Sequence, residues 1–113
     1  MGKASRDKGK RGERELAAKL RDFGYDTKRG VQYHGGEDSP DVKGLPGIHI
    51  ECKRVEALRL YEALSQAKGD CGEKMPVVMH RKNNCEWVVI QPLCDWIQLY
   101  RSWETEEREE EGE

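Results

Sequence analysis

The sequence predicts a single α/β domain in which a central sheet is flanked by helices. A chain of 113 residues forms one domain of ordinary size and buries most of its apolar surface. Segments with apolar residues at helical spacing alternate with short strand-like segments, in the order α-β-β-β-α-β-β-α. The 3 tryptophans, 4 tyrosines and Val/Ile/Leu-rich segments argue against wholesale disorder, although 37% of the residues are charged.

The first half of the chain is predicted to supply one helix and three strands. A helix over 10–23 carries four apolar residues on one side and ends at Gly24: Leu16, Ala17, Leu20 and Phe23. The three strands follow over 25–29, 41–43 and 48–54. A loop rich in Gly, Ser and Pro over 30–40 separates the first two strands, and a turn over 44–47 separates the last two.

The second half is predicted to add a helix, two strands and a final helix. The helix over 56–70 has five residues on one face: Ala57, Leu60, Tyr61, Leu64 and Ala67. Strands over 76–80 and 87–91 are joined through Asn83-Asn84, a dipeptide typical of tight turns. A helix over 93–103 begins after Pro92 and aligns a stripe of four residues: Leu93, Trp96, Tyr100 and Trp103. This stripe forms either core or a dimer surface.

Charge is distributed unevenly along the chain, although its net value is only −2. Residues 104–113 hold seven Glu and one Arg, a net charge of −6, so the other 103 residues carry +4. Five basic residues lie within the first twelve positions: Lys3, Arg6, Lys8, Lys10 and Arg11. We therefore expect a basic flexible arm over 1–9, a folded domain over 10–103, a disordered acidic tail over 104–113 and a polyanionic partner.

Several classes of protein do not fit the sequence. No apolar stretch approaches the roughly 18–20 residues of a membrane helix, and the basic N-terminus lacks the apolar segment of a secretory signal. We expect a cytoplasmic protein. The four cysteines form no CxxC pair and no Cys/His cluster with zinc-finger spacing, which predicts reduced thiols.

Two acidic residues stand out from the local patterns. Glu13 lies on the apolar side of the first helix, three and four residues before Leu16 and Ala17; the alternative is a first-turn Glu favoured by the helix dipole. Strand alternation places Glu51 and Lys53 on one face, together with His49, which could border a site. A weak, solvated surface pair is the alternative for Glu51 and Lys53.

A third acidic residue, Asp41, lies ten positions before Glu51. That spacing suits two adjacent strands joined by a turn, so that Asp41 and Glu51 converge. Two converging carboxylates do not both ionise cheaply without a compensating cation, and Mg²⁺ is the first candidate for carboxylate ligands. The alternative is an ordinary turn residue after proline.

Together these residues resemble the PD-(D/E)xK nuclease superfamily. The motif reads Pro40-Asp41, nine intervening residues, then Glu51-Cys52-Lys53. The segment KGKRGEREL over 8–16 is similar to the KGxxxEREL opening of archaeal-type Holliday junction resolvases and of compact phage-encoded nucleases. The resemblance covers residues 8–91 and implies a restriction-endonuclease-like fold with a central mixed sheet.

The resemblance implies a role for each motif residue. Asp41 and Glu51 match the metal-binding carboxylates, Glu13 matches an acidic helix residue that helps to hold the metal or its water, and the main-chain carbonyl of Cys52 would be a further ligand. Lys53 matches the lysine that positions or activates the attacking water. Because Lys53 would lie among carboxylates, we favour water positioning over a general-base role. The implied cofactor is Mg²⁺, with Mn²⁺ able to substitute.

Other residues are candidates for contacts with DNA. Lys8, Lys10 and Arg11 suit phosphate contacts, which position a protein without reading sequence. Ser39 and Arg29 have counterparts in the resolvases. Two further candidates have a surface alternative. Helical spacing places Gln66 roughly opposite Leu60 and Leu64, and His34 lies in the loop beside Gly35-Gly36.

The sequence therefore predicts a metal-dependent DNA endonuclease that resolves Holliday junctions. The resemblance implies a homodimer, since two strands must be cut symmetrically. A flap, nicking or restriction-type nuclease with the same site is one alternative. A nucleic-acid-binding accessory protein that does not cleave is another, and a protein-interaction module organised by Trp96 and Trp103 is a third.

Overall fold

The computed structural model describes residues 3–30 and 40–112, with side chains for 7–30, 40–110 and 112. Within this part of the chain the element order is the predicted one, with three helices and five strands. The helices are α1 (Lys3–Asp22), α2 (Leu60–Asp70) and α3 (Leu93–Glu111). The strands are β1 (Lys28–Arg29), β2 (Val42–Lys43), β3 (Ile48–Arg54), β4 (Met75–Arg81) and β5 (Val88–Ile90).

The five strands form one mixed sheet in the order β1-β2-β3-β4-β5. β1, β2 and β3 pair antiparallel, β3 and β4 pair parallel through the crossover helix α2, and β5 returns antiparallel to β4. A parallel pair needs such a crossover, whereas its antiparallel neighbours need only turns. The turn between β2 and β3 lies where it was predicted, with positive φ at Gly44 and Gly47.

Helix α1 covers one face of the sheet and builds the larger core. Leu16 and Ala17, both 1% exposed, pack with Ile50 of β3. The remaining buried residues of this cluster come from two strands, β2 and β4: Val42, Val77 and Met79. Phe23 was predicted to join the apolar side, but α1 ends at Asp22 and the Phe23 ring is 68% exposed.

Helix α2 covers the opposite face through its small residues. Ala63 and Ala67 pack against Val78 of β4, and this small cluster gives the sheet its second core. The predicted apolar face of this helix is only partly correct, because Tyr61 is 82% exposed and Leu60 is 38% exposed. Alanines allow the helix to approach the sheet closely, so the contact surface is centred on Ala63 and Ala67.

Both terminal helices are longer than predicted. Helix α1 begins at Lys3, so most of the predicted arm continues the helix, and α3 extends through the acidic segment to Glu111. Adding a turn to an existing helix avoids the cost of nucleation, and Lys, Arg, Ala and Glu are good helix formers. The limits proposed for the folded domain, 10–103, stay a prediction.

The structure also bears on two predictions for the second half of the chain, the turn at Asn83-Asn84 and the apolar stripe of α3. Asn84 takes a left-handed conformation with φ of 62°, as its place in a turn requires, but the connection between β4 and β5 spans six residues. The stripe on α3 is not core, since Trp96, Tyr100 and Trp103 expose between 40% and 55% of their surface. None of the described helices is long and apolar enough to cross a membrane.

Gly12 allows α1 to lie directly on β3. A Cβ atom built at Gly12 would stand 2.5 Å from the Cβ of Arg54, closer than side chains pack. Arg54 cannot easily withdraw, because its guanidinium donates hydrogen bonds to Glu15 and Asn83. Gly12, the second glycine of the segment KGKRGEREL, therefore sets the distance between α1 and β3, the strand that carries Glu51.

We expect Gly12→Ala to lower the free energy of unfolding by about 1–3 kcal/mol, because the added methyl group overpacks the contact with Arg54. The matched control is Gly9→Ala on the same helix, where nothing lies within 4 Å of the added Cβ. That change should raise stability by about 0.5–1 kcal/mol through lower backbone entropy of the unfolded chain. Urea denaturation of both variants measures the difference, and equal effects would contradict the packing argument.

Candidate active site

Backbone pairing brings Asp41 beside Glu51. Asp41 directly precedes β2, and its main-chain N–H donates to the Ile50 carbonyl across the β2–β3 pair at 2.9 Å. Its side-chain Oδ2 in turn accepts a hydrogen bond from the main-chain N–H of Cys52 at 2.8 Å. These two bonds hold the Asp41 carboxylate against β3, so the predicted convergence of Asp41 and Glu51 is present in the fold.

Glu51 is a buried acid in an unfavourable electrostatic setting. Only 2% of its surface is exposed, and its side chain is hydrogen-bonded to Asp41. Burial, followed by the charge and hydrogen bond of Asp41, raises the pKa of Glu51 from 4.5 to about 8, although Lys53 opposes the rise. Near neutral pH this pair of carboxyl groups retains a proton when no cation is bound.

Glu13 reaches the same cavity from α1. The Arg29 Nε donates a hydrogen bond to Glu13 Oε1 at 2.8 Å, and the pair is mostly shielded from solvent. Burial and the charge of Asp41 raise the pKa of Glu13, and the hydrogen bond and charge of Arg29 offset part of that rise. Three acidic residues from α1, β3 and the segment before β2 thus share one cavity.

Lys53 and Gln66 meet at the side of the cavity next to α2. Lys53 Nζ donates a hydrogen bond to Gln66 Oε1 at 3.2 Å, and both residues line the cavity. Helical spacing places Gln66 roughly opposite Leu60 and Leu64, so a surface position was the alternative prediction for this residue. Because α2 packs through Ala63 and Ala67 instead, Gln66 lies beside the contact line and faces Lys53.

Cys52 separates the two functional residues of the motif. Its side chain points away from α2 and packs against the α1 core, as strand alternation predicts. Burial raises the pKa of the Cys52 thiol, so the side chain stays a neutral apolar group. The role of its main-chain carbonyl as a metal ligand stays a prediction.

His49 and Asp70 form a second cluster around Glu51. His49 is 1% exposed, and its Nε2 lies 3.3 Å from Glu51 Oε1. The possible ligand atoms of His49, Glu51 and Asp70 all lie within 4.8 Å of one another. Asp70, which ends α2, was not predicted as a site residue. Its position four residues after Gln66, on the same side of the helix, could have indicated that it faces the same cluster.

The basic residues predicted to contact DNA differ from one another in exposure and in hydrogen-bond partners. Lys8 lines the cavity, and Lys10 and Arg11 are exposed on the same segment of α1. Arg29 is occupied by Glu13. Ser39 and His34 lie outside the described residues.

The cavity has a volume of about 440 Å³ and is open to solvent. Its lining contains the Glu51-Cys52-Lys53 motif of β3, Asp41, and part of the KGxxxEREL segment of α1, together with neighbouring residues: Lys8, Gly9, Glu13, Asp41, Glu51, Cys52, Lys53, Arg54, Val55 and Gln66. A cavity lined by both carboxylates and basic side chains would offer ligands to a cation and positive charge to a phosphate group.

The donor set fits a hard divalent cation. Asp41 and Glu51 offer carboxylate oxygens side by side, and burial, followed by the charge of Asp41, raises the pKa of Glu51, so a bound cation would stabilise the ionised pair. Oxygen ligands of this kind, completed by water, are those that Mg²⁺ and Mn²⁺ bind. His49 beside Glu51 adds a nitrogen donor to the second cluster, which suits Mn²⁺ better than Mg²⁺.

Comparison with known proteins identifies one family. The family model described as archaeal Holliday junction resolvase (Hjc) matches residues 4–95, which include α1, the whole sheet and α2. Neither the search of curated proteins nor the search of solved structures gave a match. The matched segment contains every residue that lines the cavity.

We expect the metal-free protein to lose stability as the pH rises from about 4.5 to about 8. In this window Glu51 is already ionised in the unfolded chain but remains protonated in the folded protein. The folded state therefore binds more protons than the unfolded state. If Glu51 acts alone, each rise of one pH unit lowers the free energy of unfolding by about 1.4 kcal/mol. Thermal unfolding in EDTA across this range measures the effect.

Glu51→Gln removes the titrating group and should flatten this dependence, so the variant unfolds at a higher temperature than the wild type at pH 8. Glu62→Gln, an exposed change on α2, is the matched control and should retain the slope. A slope that persists in Glu51→Gln would assign the pH dependence to another group.

Proposed function

The chain belongs to the archaeal Holliday junction resolvase family of nucleases, and from this premise we propose that it hydrolyses phosphodiester bonds of four-way DNA junctions at the cavity around Glu51, with Mg²⁺ as cofactor. The observation that carries the proposal is the convergence of Asp41, Glu51 and Lys53 in one open cavity with Glu13. Such a site combines ligands for a cation with a separate positive charge for the substrate.

Asp41 and Glu51 would hold the metal ion, with Glu13 supporting it or a bound water. A divalent ion at this position lowers the pKa of water and offers positive charge to the phosphate. The hydrogen bond from the Cys52 main-chain N–H holds the Asp41 carboxylate in place, and the hydrogen bond from Arg29 holds the Glu13 carboxylate in place. The side chains are thus positioned before substrate arrives, which lowers the cost of organising the site.

Lys53 would orient the attacking water and stabilise the charge that develops on the phosphate. Its ammonium group has three donor hydrogens, one of which is taken by Gln66. Within residues 3–30 and 40–112 no other hydrogen bond engages this group, so its other two hydrogens could be donated to a water molecule or a phosphate oxygen. Gln66 fixes the ammonium over the cavity, so we propose it as a positioning residue for Lys53.

Lys8, Lys10 and Arg11 would hold the DNA backbone along α1. The three residues lie beside the cavity or on the exposed surface next to it, so that a phosphate in the cavity places its neighbours close to them. Contacts of this kind give affinity that falls with salt and little preference for base sequence. This fits a nuclease that recognises the shape of a junction.

The enzyme would act as a homodimer. A four-way junction has two strands to be cut symmetrically, and each chain carries one such cavity among its described residues. Two copies related by a two-fold axis would match the symmetry of the substrate. A cytoplasmic location stays a prediction.

Cleavage of defined DNA substrates tests the proposal. The wild-type protein with Mg²⁺ should produce paired, symmetric nicks on a four-way junction, and EDTA should abolish them. A flap, a linear duplex and a single strand serve as competing substrates, since a flap or nicking enzyme would prefer one of these. Binding of the junction without cleavage in either Mg²⁺ or Mn²⁺ would instead support an accessory protein.

We expect Asp41→Asn and Lys53→Ala each to lower the cleavage rate by about 100-fold or more, because one removes a charged ligand and the other a donor that acts on the developing charge. Junction binding, measured by fluorescence anisotropy in Ca²⁺, should remain within a few-fold of wild type. Lys68→Ala is the matched control, since it removes the same charge from an exposed position on α2 away from the cavity. An equal loss of cleavage rate in Lys68→Ala would indicate that overall charge, and not the position of Lys53, determines the rate.

A further inference from the structure

His49 lies on the same face of β3 as Glu51 and is buried beside it. The two residues are two positions apart on a strand that runs between β2 and β4, so backbone pairing on both sides fixes their spacing. The His49 side chain is 1% exposed, and its Nε2 lies 3.3 Å from Glu51 Oε1. The ring is therefore too deep to contact DNA, but it is in direct contact with a proposed metal ligand.

Burial makes Glu51 a demanding ligand. Because its carboxyl group has almost no contact with water, each oxygen needs a partner within the protein or a bound cation. The hydrogen bond between Glu51 and Asp41 requires that the two carboxyl groups share a proton, which a bound cation would displace. A donor is then needed at the oxygen that the cation does not take, and His49 Nε2 lies at Oε1.

The direction of this hydrogen bond follows from the charge of Glu51. An ionised carboxylate only accepts hydrogen bonds, so the contact with a metal-binding Glu51 requires a hydrogen on Nε2 of His49. A hydrogen bond to an ionised acceptor is stronger than one between neutral groups. Carboxylates that bind metal ions in proteins are commonly oriented by such bonds.

The carboxyl end of α2 closes over the His49 ring. Gln66 contacts Lys53 near the end of β3, whereas Asp70 lies close to His49 near the start of the strand. Asp70 follows the fully buried Ala67 by three positions and therefore shares the side of α2 that meets the sheet. The imidazole is thus enclosed between strand and helix, which limits its freedom to turn away from Glu51.

Direct binding of a metal ion is the alternative use of the same ring. The possible ligand atoms of His49, Glu51 and Asp70 all lie within 4.8 Å of one another. In the described part of the chain, however, no buried side-chain nitrogen or oxygen lacks a hydrogen-bond partner. An ion between His49 and Glu51 would replace their hydrogen bond, so the observed contact favours a hydrogen-bonding role for the ring.

We propose that His49 is a positioning residue for Glu51: its Nε2–H donates to Oε1 and leaves the other carboxylate oxygen for the metal ion that Glu51 shares with Asp41. This inference rests on the proposed function, because it requires Glu51 to act as a metal ligand. His49 then acts through the affinity of the site for metal and does not touch the substrate.

Binding of Mn²⁺ to the full chain without DNA tests the proposal. His49→Phe keeps a buried ring but removes the donor, so the dissociation constant for Mn²⁺, measured by isothermal titration calorimetry, should rise about 10–100-fold. His49→Gln retains an N–H donor at a similar reach, so its dissociation constant should stay within a few-fold of wild type. Unchanged affinity in His49→Phe, or an equal loss in both variants, would overturn the proposal.

The matched control alters the opposite face of the same strand. Ile50 is fully buried in the core beneath α1, so Ile50→Val disturbs the packing of β3 without touching the His49 ring. This variant should bind Mn²⁺ as the wild type does. Circular dichroism and thermal unfolding without metal establish that each variant is folded. A loss of affinity in Ile50→Val equal to that in His49→Phe would assign the effect to strand packing and overturn the proposal.

A measurement on the wild-type protein does not depend on how well the variants fold. Long-range ¹H–¹⁵N NMR spectra of the imidazole in the Mg²⁺-loaded protein should show His49 with a hydrogen on Nε2. An Nε2 without hydrogen would overturn the proposal. A His49 nitrogen coordinated directly to Mn²⁺, detected by pulsed electron paramagnetic resonance, would overturn it as well, because the ring would then be a ligand.

Cleavage separates failure of this inference from failure of the proposed function. His49→Phe should cut four-way junctions slowly at limiting Mn²⁺ and regain most of the wild-type rate when Mn²⁺ saturates the site. A wild type whose Mn²⁺ affinity depends on the His49 donor but which cuts no DNA would contradict the proposed function and leave the positioning role standing. Wild-type cleavage by His49→Phe at limiting Mn²⁺ would contradict the positioning role alone.

Discussion

The hydrogen bond from the Cys52 main-chain N–H to Asp41 Oδ2 holds a second carboxylate against the buried Glu51. Two such groups in low dielectric are costly unless they share a proton or a cation. Backbone pairing of β2 with β3 prevents Asp41 from moving away into solvent, so the cost remains in the folded protein. Burial, followed by the charge of Asp41, raises the pKa of Glu51, and a divalent cation held by the pair, as proposed above, would offset this cost.

The rest of the fold positions groups around this pair from both faces of the sheet. Gly12 brings α1 close enough to β3 for Glu13 to enter the cavity, where Arg29 fixes its orientation. On the other face, the small side chains of α2 allow Gln66 to reach Lys53. The helices therefore contribute both core and site, and a change in either packing distance would displace a functional side chain.

The N-terminal and C-terminal helices differ in surface chemistry. Helix α1 carries Lys8 beside the cavity, with Lys10 and Arg11 exposed nearby, so positive charge is concentrated next to the site. Helix α3 is acidic at its end and apolar along one side. A polyanion is therefore attracted to the surface of α1 and repelled by the end of α3.

The element order, the bounds of β3 and the residues that share each of its faces could be predicted from the sequence, because strand alternation and helical spacing are local properties of the chain. The convergence of Asp41 and Glu51 could also be predicted, since the glycines indicate the turn between their two strands. Contacts between distant segments set which side of α2 meets the sheet, that Arg29 binds Glu13, and that Asp70 approaches Glu51, and none of these could be predicted from the sequence. Only the tertiary structure showed that the aromatic stripe of α3 stays exposed. Periodicity reveals that a helix has an apolar side, whereas the partner of that side depends on contacts between residues distant in sequence.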